Sequence, residues 1–228
     1  MARRSRQLEL PQPTSWGGRR RGAGRPAITG RRTPVQHRAR PGHDARCPVH
    51  VTLRARREIR SLREDVPFYA VRSAIAVAST DRFRVIHFSV QADHVHLVVE
   101  ASDGRALALG IRALVVRTAR AINRATRRTG RVWGDRYHAR ALRTPHEVRT
   151  GIVYVLQNWK KHLSSATGVD PRSSGPWFDG WSRDIPRVPE PRPICRPRTW
   201  LATFGWMRAG GPVGIGEAPS KRGAPRRT

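Results

Sequence analysis

His94-Val95-His96 begins a segment, HVHLVVE, whose apolar centre reads as a buried strand. On a strand, residues two apart share a face, so His94 and His96 stand side by side while Val95 and Leu97 face the other way. Two neighbouring imidazoles can share a divalent cation. Nine histidines make a bare His-x-His pair unsurprising. Two surface histidines at a strand end are the competing reading, and the weight falls on the placement of the motif directly after a tight turn. Tyr154 is the second group of interest. Segment 147–163 carries an apolar stripe at Val148, Ile152, Val155, Trp159 and Leu163, spaced by three and four residues. Tyr154 lies off that stripe, on a neighbouring face with Gly151, Asn158 and Lys161. A phenol, a carboxamide and a cation displayed together suit nucleophilic chemistry, against the commoner case of a helix tyrosine bonded to water.

These groups need elements to hold them. Pro48 to Arg54 alternates and predicts a strand; 66–79 predicts a helix with Phe68, Val71, Ile75 and Ala78 on one face. Strands follow at 83–91 and 94–100, joined by a link short enough for a hairpin. A long helix over 104–128 takes Ser102 or Asp103 as its N-cap, with Leu107, Ile111, Leu114, Ala121 and Ile122 inward and Arg112, Arg117, Arg120, Arg124, Arg127 and Arg128 outward or near its end. A fourth strand spans 136–143. Thr144, Pro145 and Glu147 then form a capping-box start for the tyrosine helix. The order β-α-β-β-α-β plus a helix is α+β, the ferredoxin-like split βαβ pattern: an antiparallel sheet with helices on one face and the other face left available, followed by a C-terminal tyrosine-bearing helix and flanked by basic tails.

Charge bounds the partner. Lys and Arg total 45 against 16 Asp and Glu, a net +29. Such a field gathers polyanions, and nucleic acid is the expected partner. No long amphipathic basic helix points to a membrane surface, and no stretch approaches the ~20 apolar residues of a span. The N-terminus has no apolar core of a secretory signal, and Cys47 and Cys195 have no metal-ligand spacing, so a reducing cytoplasm is the expected compartment, in association with the nucleoid. Residues 1–46 read as a disordered basic arm, 47–165 as the structured domain, and 166–228 as a tail rich in Pro, Gly, Trp and Arg. In the arm, Arg19-Arg20-Arg21 followed by Gly24-Arg25-Pro26 has the look of an AT-hook core, with a plain solvated tail as the blander reading. The tail holds Trp177, Trp181, Trp200 and Trp206, aromatic enough to dock on the core or to stack on bases.

Taken together, the His94-Val95-His96 strand, the segment Arg131 to His138 (RVWGDRYH) and Tyr154 four residues before Asn158 resemble the HUH tyrosine transposases, within them the REP-associated and insertion-sequence enzymes. The resemblance covers about residues 48–163. It implies one Mg2+ or Mn2+ held by His94, His96 and an amide of the tyrosine helix, Asn158 or alternatively Gln157. It implies Tyr154 as a nucleophile forming a 5′-phosphotyrosine on single-stranded or hairpin DNA. Lys161, Arg136 and Arg140 become candidates for activating the phenol or binding phosphate, and Arg19, Arg20, Arg21, Arg25, Arg117, Arg120 and Arg124 for gripping DNA. Tyr69 and Tyr137 are the competing tyrosines. Relatives act as monomers or as homodimers that exchange tyrosine helices. A non-catalytic basic DNA- or RNA-binding protein derived from such an enzyme is the alternative, and it would need no metal. A basic structural protein is a third class, which leaves the histidine pair and the polar tyrosine face as accidents.

Overall fold

Four strands form one antiparallel sheet in the order β2-β3-β1-β4: β1 Val49–Arg54, β2 Phe83–Val90, β3 His94–Ala101 and β4 His138–Ala141. The computed structural model describes residues 42–134, 136–161, 167–186 and 188–219, all within the compact unit His37–Thr228. Helices α1 (Asp65–Ala76) and α2 (Gly104–Ala125) lie on one face, and α3 (Pro145–Gln157) lies on the other. The α+β, split βαβ arrangement is therefore present. No helix among the described residues is long and apolar enough to cross a membrane.

Alternation on β1 and β3 decides which residues face which layer. Val49, Val51 and Leu53 with Val95, Leu97 and Val99 enter the core under α1 and α2, joined by Phe68, Val71, Ile75, Ile111, Leu114 and Ile122. His50, Thr52, His94, His96 and Val98 therefore project to the α3 side. β2 keeps the same division through a bulge: Val85 pairs with Val99 and His87 with Val98, leaving Ile86 extra. Phe83 and Val85 before the bulge, and Phe88 and Val90 after it, thus share the α1–α2 core, while Ile86 joins the opposite one. A regular strand would have turned two of these side chains to the wrong face.

The helix ends follow local chemistry. Asp103 is the cap of α2, its carboxylate accepting from Ala106 N at 2.8 Å. Arg127 adopts φ +52° just past the C-terminus, so α2 stops at Ala125, short of 128. Thr144 Oγ1 accepts from Glu147 N at 3.1 Å, and the Glu147 carboxylate reaches back to Arg143 N at 2.7 Å. β4 is shorter than the expected 136–143 because it pairs with β1 only over Val49–Thr52. α2 crosses β2 closely: a Cβ at Gly110 would stand 2.1 Å from Phe83 Cγ. We expect Gly110→Ala to destabilise the fold by about 1–3 kcal/mol, the overpacking outweighing alanine's better helix propensity. Urea unfolding checks this, and a stabilised variant would contradict the tight crossing.

The second sheet face is not left open, contrary to the expectation above. Trp181, Leu201, Ala202, Trp206, Val213 and Ile215 from the tail join Ile86, Val98, Leu142 and the buried side of α3 in a second core. α3 is consequently buried on a wider arc than its stripe predicts: Val153, Leu156 and Gln157 are covered as well as Val148, Ile152 and Val155. The tail also runs along the outer edge of β2. Val90 N donates to Arg172 O, Ser174 N to Phe88 O and Cys195 N to Val85 O, at 2.8–2.9 Å. Such pairing covers an edge that would otherwise be open to aggregation. The fully buried Asp170 anchors this run, accepting from Arg63 Nη1 at 3.0 Å, Arg63 Nη2 at 2.8 Å and Arg172 N at 2.9 Å. Docking of the tail tryptophans on the core is thus realised for Trp181 and Trp206, whereas Trp200 stays 51% exposed.

His87 sits under this tail, its ring edge-on to Phe178 at 5.3 Å and near Ser174. Burial pushes its pKa from 6.5 down to about 4. The unfolded chain therefore binds the extra proton between those values. His87's contribution to stability is complete above pH 6.5 and is lost as pH falls towards 4, by about 3 kcal/mol in all. Urea midpoints at pH 7 and pH 4.5 should differ by less in His87→Gln than in the parent chain. An equal difference in both would show that another group governs the acid response.

Candidate active site

Strand register brings the histidines together. Thr52 on β1 is paired with His96 on β3, Arg54 with His94, and His50 with Val98. On the α3 side of the sheet, the rings of His94 and His96 lie 4.5 Å apart between centroids, nearly perpendicular. His94 Nδ1 is 2.6 Å from Asp93 Oδ1. Burial works to raise the Asp93 carboxyl, but its hydrogen bond to His94 and the nearby His94 and Arg54 charges prevail, holding it below its ordinary pKa. Around His96, both His50 Nε2 at 3.2 Å and Thr52 Oγ1 at 3.1 Å reach Nδ1. Those contacts fix the ring plane and direct Nε2 away from β1. Burial, with lesser effects of the Arg140 and His94 charges, lowers the His50 pKa from 6.5 to about 4, so His50 is neutral at physiological pH.

Tyr154 closes the cluster from α3. Its ring stands edge-on to His96 at 5.0 Å and to His50 at 5.6 Å. Phenol and histidine pair meet within one chain. Lys161 Nζ lies 4.5 Å from the centre of the Tyr154 ring. Burial raises the phenol pKa above its usual 10 and lowers that of Lys161, so the cation works against the desolvation of its neighbour. Beside Tyr154 a cavity of about 180 Å³ is lined by His146, Arg149, Thr150, Val153 and Glu217, among others.

The helix ends at Gln157 and tightens into a 3-10 turn, Asn158–Lys161. Both carboxamides there are buried. Gln157 Nε2 donates to Ile215 O at 3.0 Å and Gly214 O at 3.3 Å, which leaves its Oε1 without a hydrogen-bond partner; Asn158 Nδ2 also lacks one. Among the described residues, no three His, Cys, Asp or Glu side chains are grouped to hold a metal.

The other expected residues scatter. Arg140 is on the site face of β4, opposite His50, and is ion-paired with Glu147. Arg136 is exposed, two residues before His138, which pairs with Thr52. Arg117, Arg120 and Arg124 are exposed on α2, across the sheet from Tyr154. Tyr137 packs partly buried against the α1–α2 core, and Tyr69 is 51% exposed on α1. Arg19, Arg20, Arg21, Arg25 and Leu163 lie outside the described residues. His50 and Thr52 were missed by sequence reasoning. Their signal was the alternation His50-Val51-Thr52 on a strand, which becomes informative only once β1 is known to pair with β3 in this register.

Comparison with known proteins places this geometry. No curated protein matches the chain. Among solved structures, a REP-associated tyrosine transposase bound to a REP hairpin is similar at 20% identity and a TM-score of 0.47, over 56% of this chain and 74% of that one. The IS200-like transposases match residues 44–157, a span that holds β1 to β4, the three helices, both histidines of the motif and Tyr154. By that match, the chain belongs to the IS200-like transposase family.

Proposed function

We propose that the chain is a divalent-metal-dependent DNA strand transferase, nicking and rejoining single-stranded or hairpin DNA through a 5′-phosphotyrosine on Tyr154. The observation that carries this reading is the Tyr154 ring 5.0 Å from His96, on one face of one chain. The residues fit a Mg2+ or Mn2+ ion. His94 and His96 supply two imidazoles, and a half-turn of the Asn158 carboxamide presents oxygen where its unpartnered nitrogen stands, with Gln157 Oε1 as the alternative. When bound, such an ion polarises a non-bridging phosphate oxygen.

The protein's own groups do the rest. Tyr154 Oη gives its proton to solvent and attacks phosphorus in line; the Oη–P bond forms as the P–O3′ bond breaks, and O3′ takes a proton from solvent to leave as a hydroxyl. Lys161 above the ring favours the phenolate. His50 and Thr52 hold the His96 ring in place. The phosphodiester's energy is kept in the tyrosine ester, so a second 3′-hydroxyl can rejoin the strand without ATP. The basic surface concentrates DNA, and the exposed Arg117, Arg120 and Arg124 would contact duplex or flanking strand away from the site.

The test uses hairpin oligonucleotides with randomised single-stranded flanks, labelled at either end, incubated with the full chain and Mn2+. The expected product is a denaturant-resistant protein–DNA adduct carrying the 3′ label, with an upstream fragment ending in a 3′-hydroxyl, and no adduct when EDTA replaces the metal. An adduct carrying the 5′ label would overturn the stated polarity. Absence of any adduct, with DNA affinity unchanged by His94→Ala, would leave the non-catalytic binder.

A further inference from the structure

The tail residues from 191 to 216 include Arg192, Arg196, Arg198 and Arg208 and no carboxylate. Part of this run is folded into α4 (Trp200–Thr203) and a following 3-10 turn, Gly205–Ala209. The segment is two-faced. Leu201, Ala202, Gly205 and Trp206 are buried against α3 and the second core, whereas Trp200 is 51%, Phe204 69% and Met207 42% exposed. Its position is fixed by the buried Glu100, whose carboxylate accepts from Arg198 N, Thr199 N and Thr199 Oγ1 at 2.8–3.1 Å. These aromatics are therefore presented by an anchored segment, and their exposure is not that of a loose end.

We propose that Trp200, Phe204 and Arg208 form a stacking platform for single-stranded DNA, separate from the Tyr154 site. Trp200 and Phe204 are four residues apart in a helical stretch, with Phe204 N donating to Trp200 O at 3.0 Å, and both side chains are exposed. Arg208 lies 5.7 Å from the Trp200 ring centre. Gly205 makes the arrangement possible, because a Cβ there would stand 2.7 Å from the Trp200 ring. Aromatic faces interleaved with guanidinium groups stack on bases irrespective of sequence and grip the phosphates between them. Arg196 and Arg198 extend the positive field, with Arg198 meeting Asp81 at 3.8 Å across solvent. An apolar protein partner would be poorly matched by the arginines of this segment; a polyanion with flat bases suits both features. Glu100, the anchor, stands on the same strand and the same face as His96, four residues along, or about 13 Å. A strand stacked on the platform can therefore run towards the histidines within the several nucleotides that such proteins cover. The inference rests on the single-strand substrate proposed above.

The experiment measures binding of labelled oligo(dT) to the full chain in EDTA, so that no cleavage intervenes, with a duplex of equal length as control. Trp200→Ala and Phe204→Ala should each weaken oligo(dT) binding about tenfold while leaving duplex affinity unchanged, with Trp200→Tyr retaining most of it. Phe204→Ala is the safer fold probe, since that ring is largely in water. Unchanged oligo(dT) affinity in the double alanine variant would overturn the platform. A shift from dimer to monomer in sedimentation, with oligo(dT) affinity intact, would also overturn it by assigning the patch to a second copy of the chain. Adduct formation on hairpin DNA is scored separately. A failed platform with a persisting Tyr154-dependent adduct leaves the transferase reading standing, whereas no adduct and no preference for single strands removes both.

Discussion

Tyr154→Phe is expected to abolish the covalent protein–DNA adduct and to reduce nicking at least about a thousandfold, while the melting temperature moves by no more than about 2 °C. The substitution removes one oxygen and keeps the ring, and it is the ring that packs against His96, His50 and Lys161. The buried core formed by Ile152, Val153, Val155 and Leu156 is untouched. Loss of activity with retained stability would thus isolate the nucleophile. An undiminished adduct in this variant would sink the assignment. A pH dependence should accompany the chemistry. Burial lifts the Tyr154 phenol above its usual range, so in the chain without metal the phenolate is scarce at neutral pH and increases as pH rises. Lys161→Met should push the rising limb of the rate profile to higher pH, because the cation over the ring is lost. An unmoved limb would mean that Lys161 does not act on the phenol.

Asp170→Ala should be the most damaging single change to the fold, at about 3–5 kcal/mol, or roughly 10 °C in melting temperature for a chain of this size. The carboxylate is fully buried and holds both Arg63 guanidinium nitrogens and the backbone N–H of Arg172. Removing it leaves the mostly buried Arg63 charge with only the Val90 carbonyl. It also loosens residues 172–174 from β2, exposing an edge strand, so aggregation on heating should accompany the lower midpoint. Replacing both partners, Arg63→Met with Asp170→Leu, should recover much of the loss, since the larger penalty is an uncompensated charge and not a missing bond. A midpoint for Asp170→Ala within 1 °C of the parent chain would show that the tail is held chiefly by its apolar contacts.

The periodic parts of this protein were legible in its sequence because their side-chain spacing is itself the physical cause of the element. Val49-Val51-Leu53 and Val95-Leu97-Val99 alternate because one face of each strand is buried. The cap of α3 follows from Thr144, Pro145 and Glu147. Tyr154 was recognisable as a candidate because it lies off the apolar stripe of its own helix, and the fold sets its ring against His96. What remained hidden depends on contacts between distant segments. His50 and Thr52 are inconspicuous until β1 is set against β3. The bulge at Ile86 has no local signature, as FRVIHFSV reads equally well as a regular strand. The tail carries no period at all, since its tryptophans are placed one at a time by hydrogen bonds such as Trp181 Nε1 to Gly175 O at 3.0 Å. Which of the two amides, Asn158 or Gln157, faces the histidines turns on where α3 ends, and helix ends are poorly encoded by propensity.

The family match ends at Gln157, yet six of the fifteen buried residues of the second core come later in the chain. Trp181, Trp206, Val213 and Ile215 roof the helix that carries Tyr154, and Gln157 is tethered to Gly214 and Ile215. A fragment cut at Gln157 would therefore leave the tyrosine helix wet along one flank, and the setting of Tyr154 depends on packing that lies outside residues 44–157.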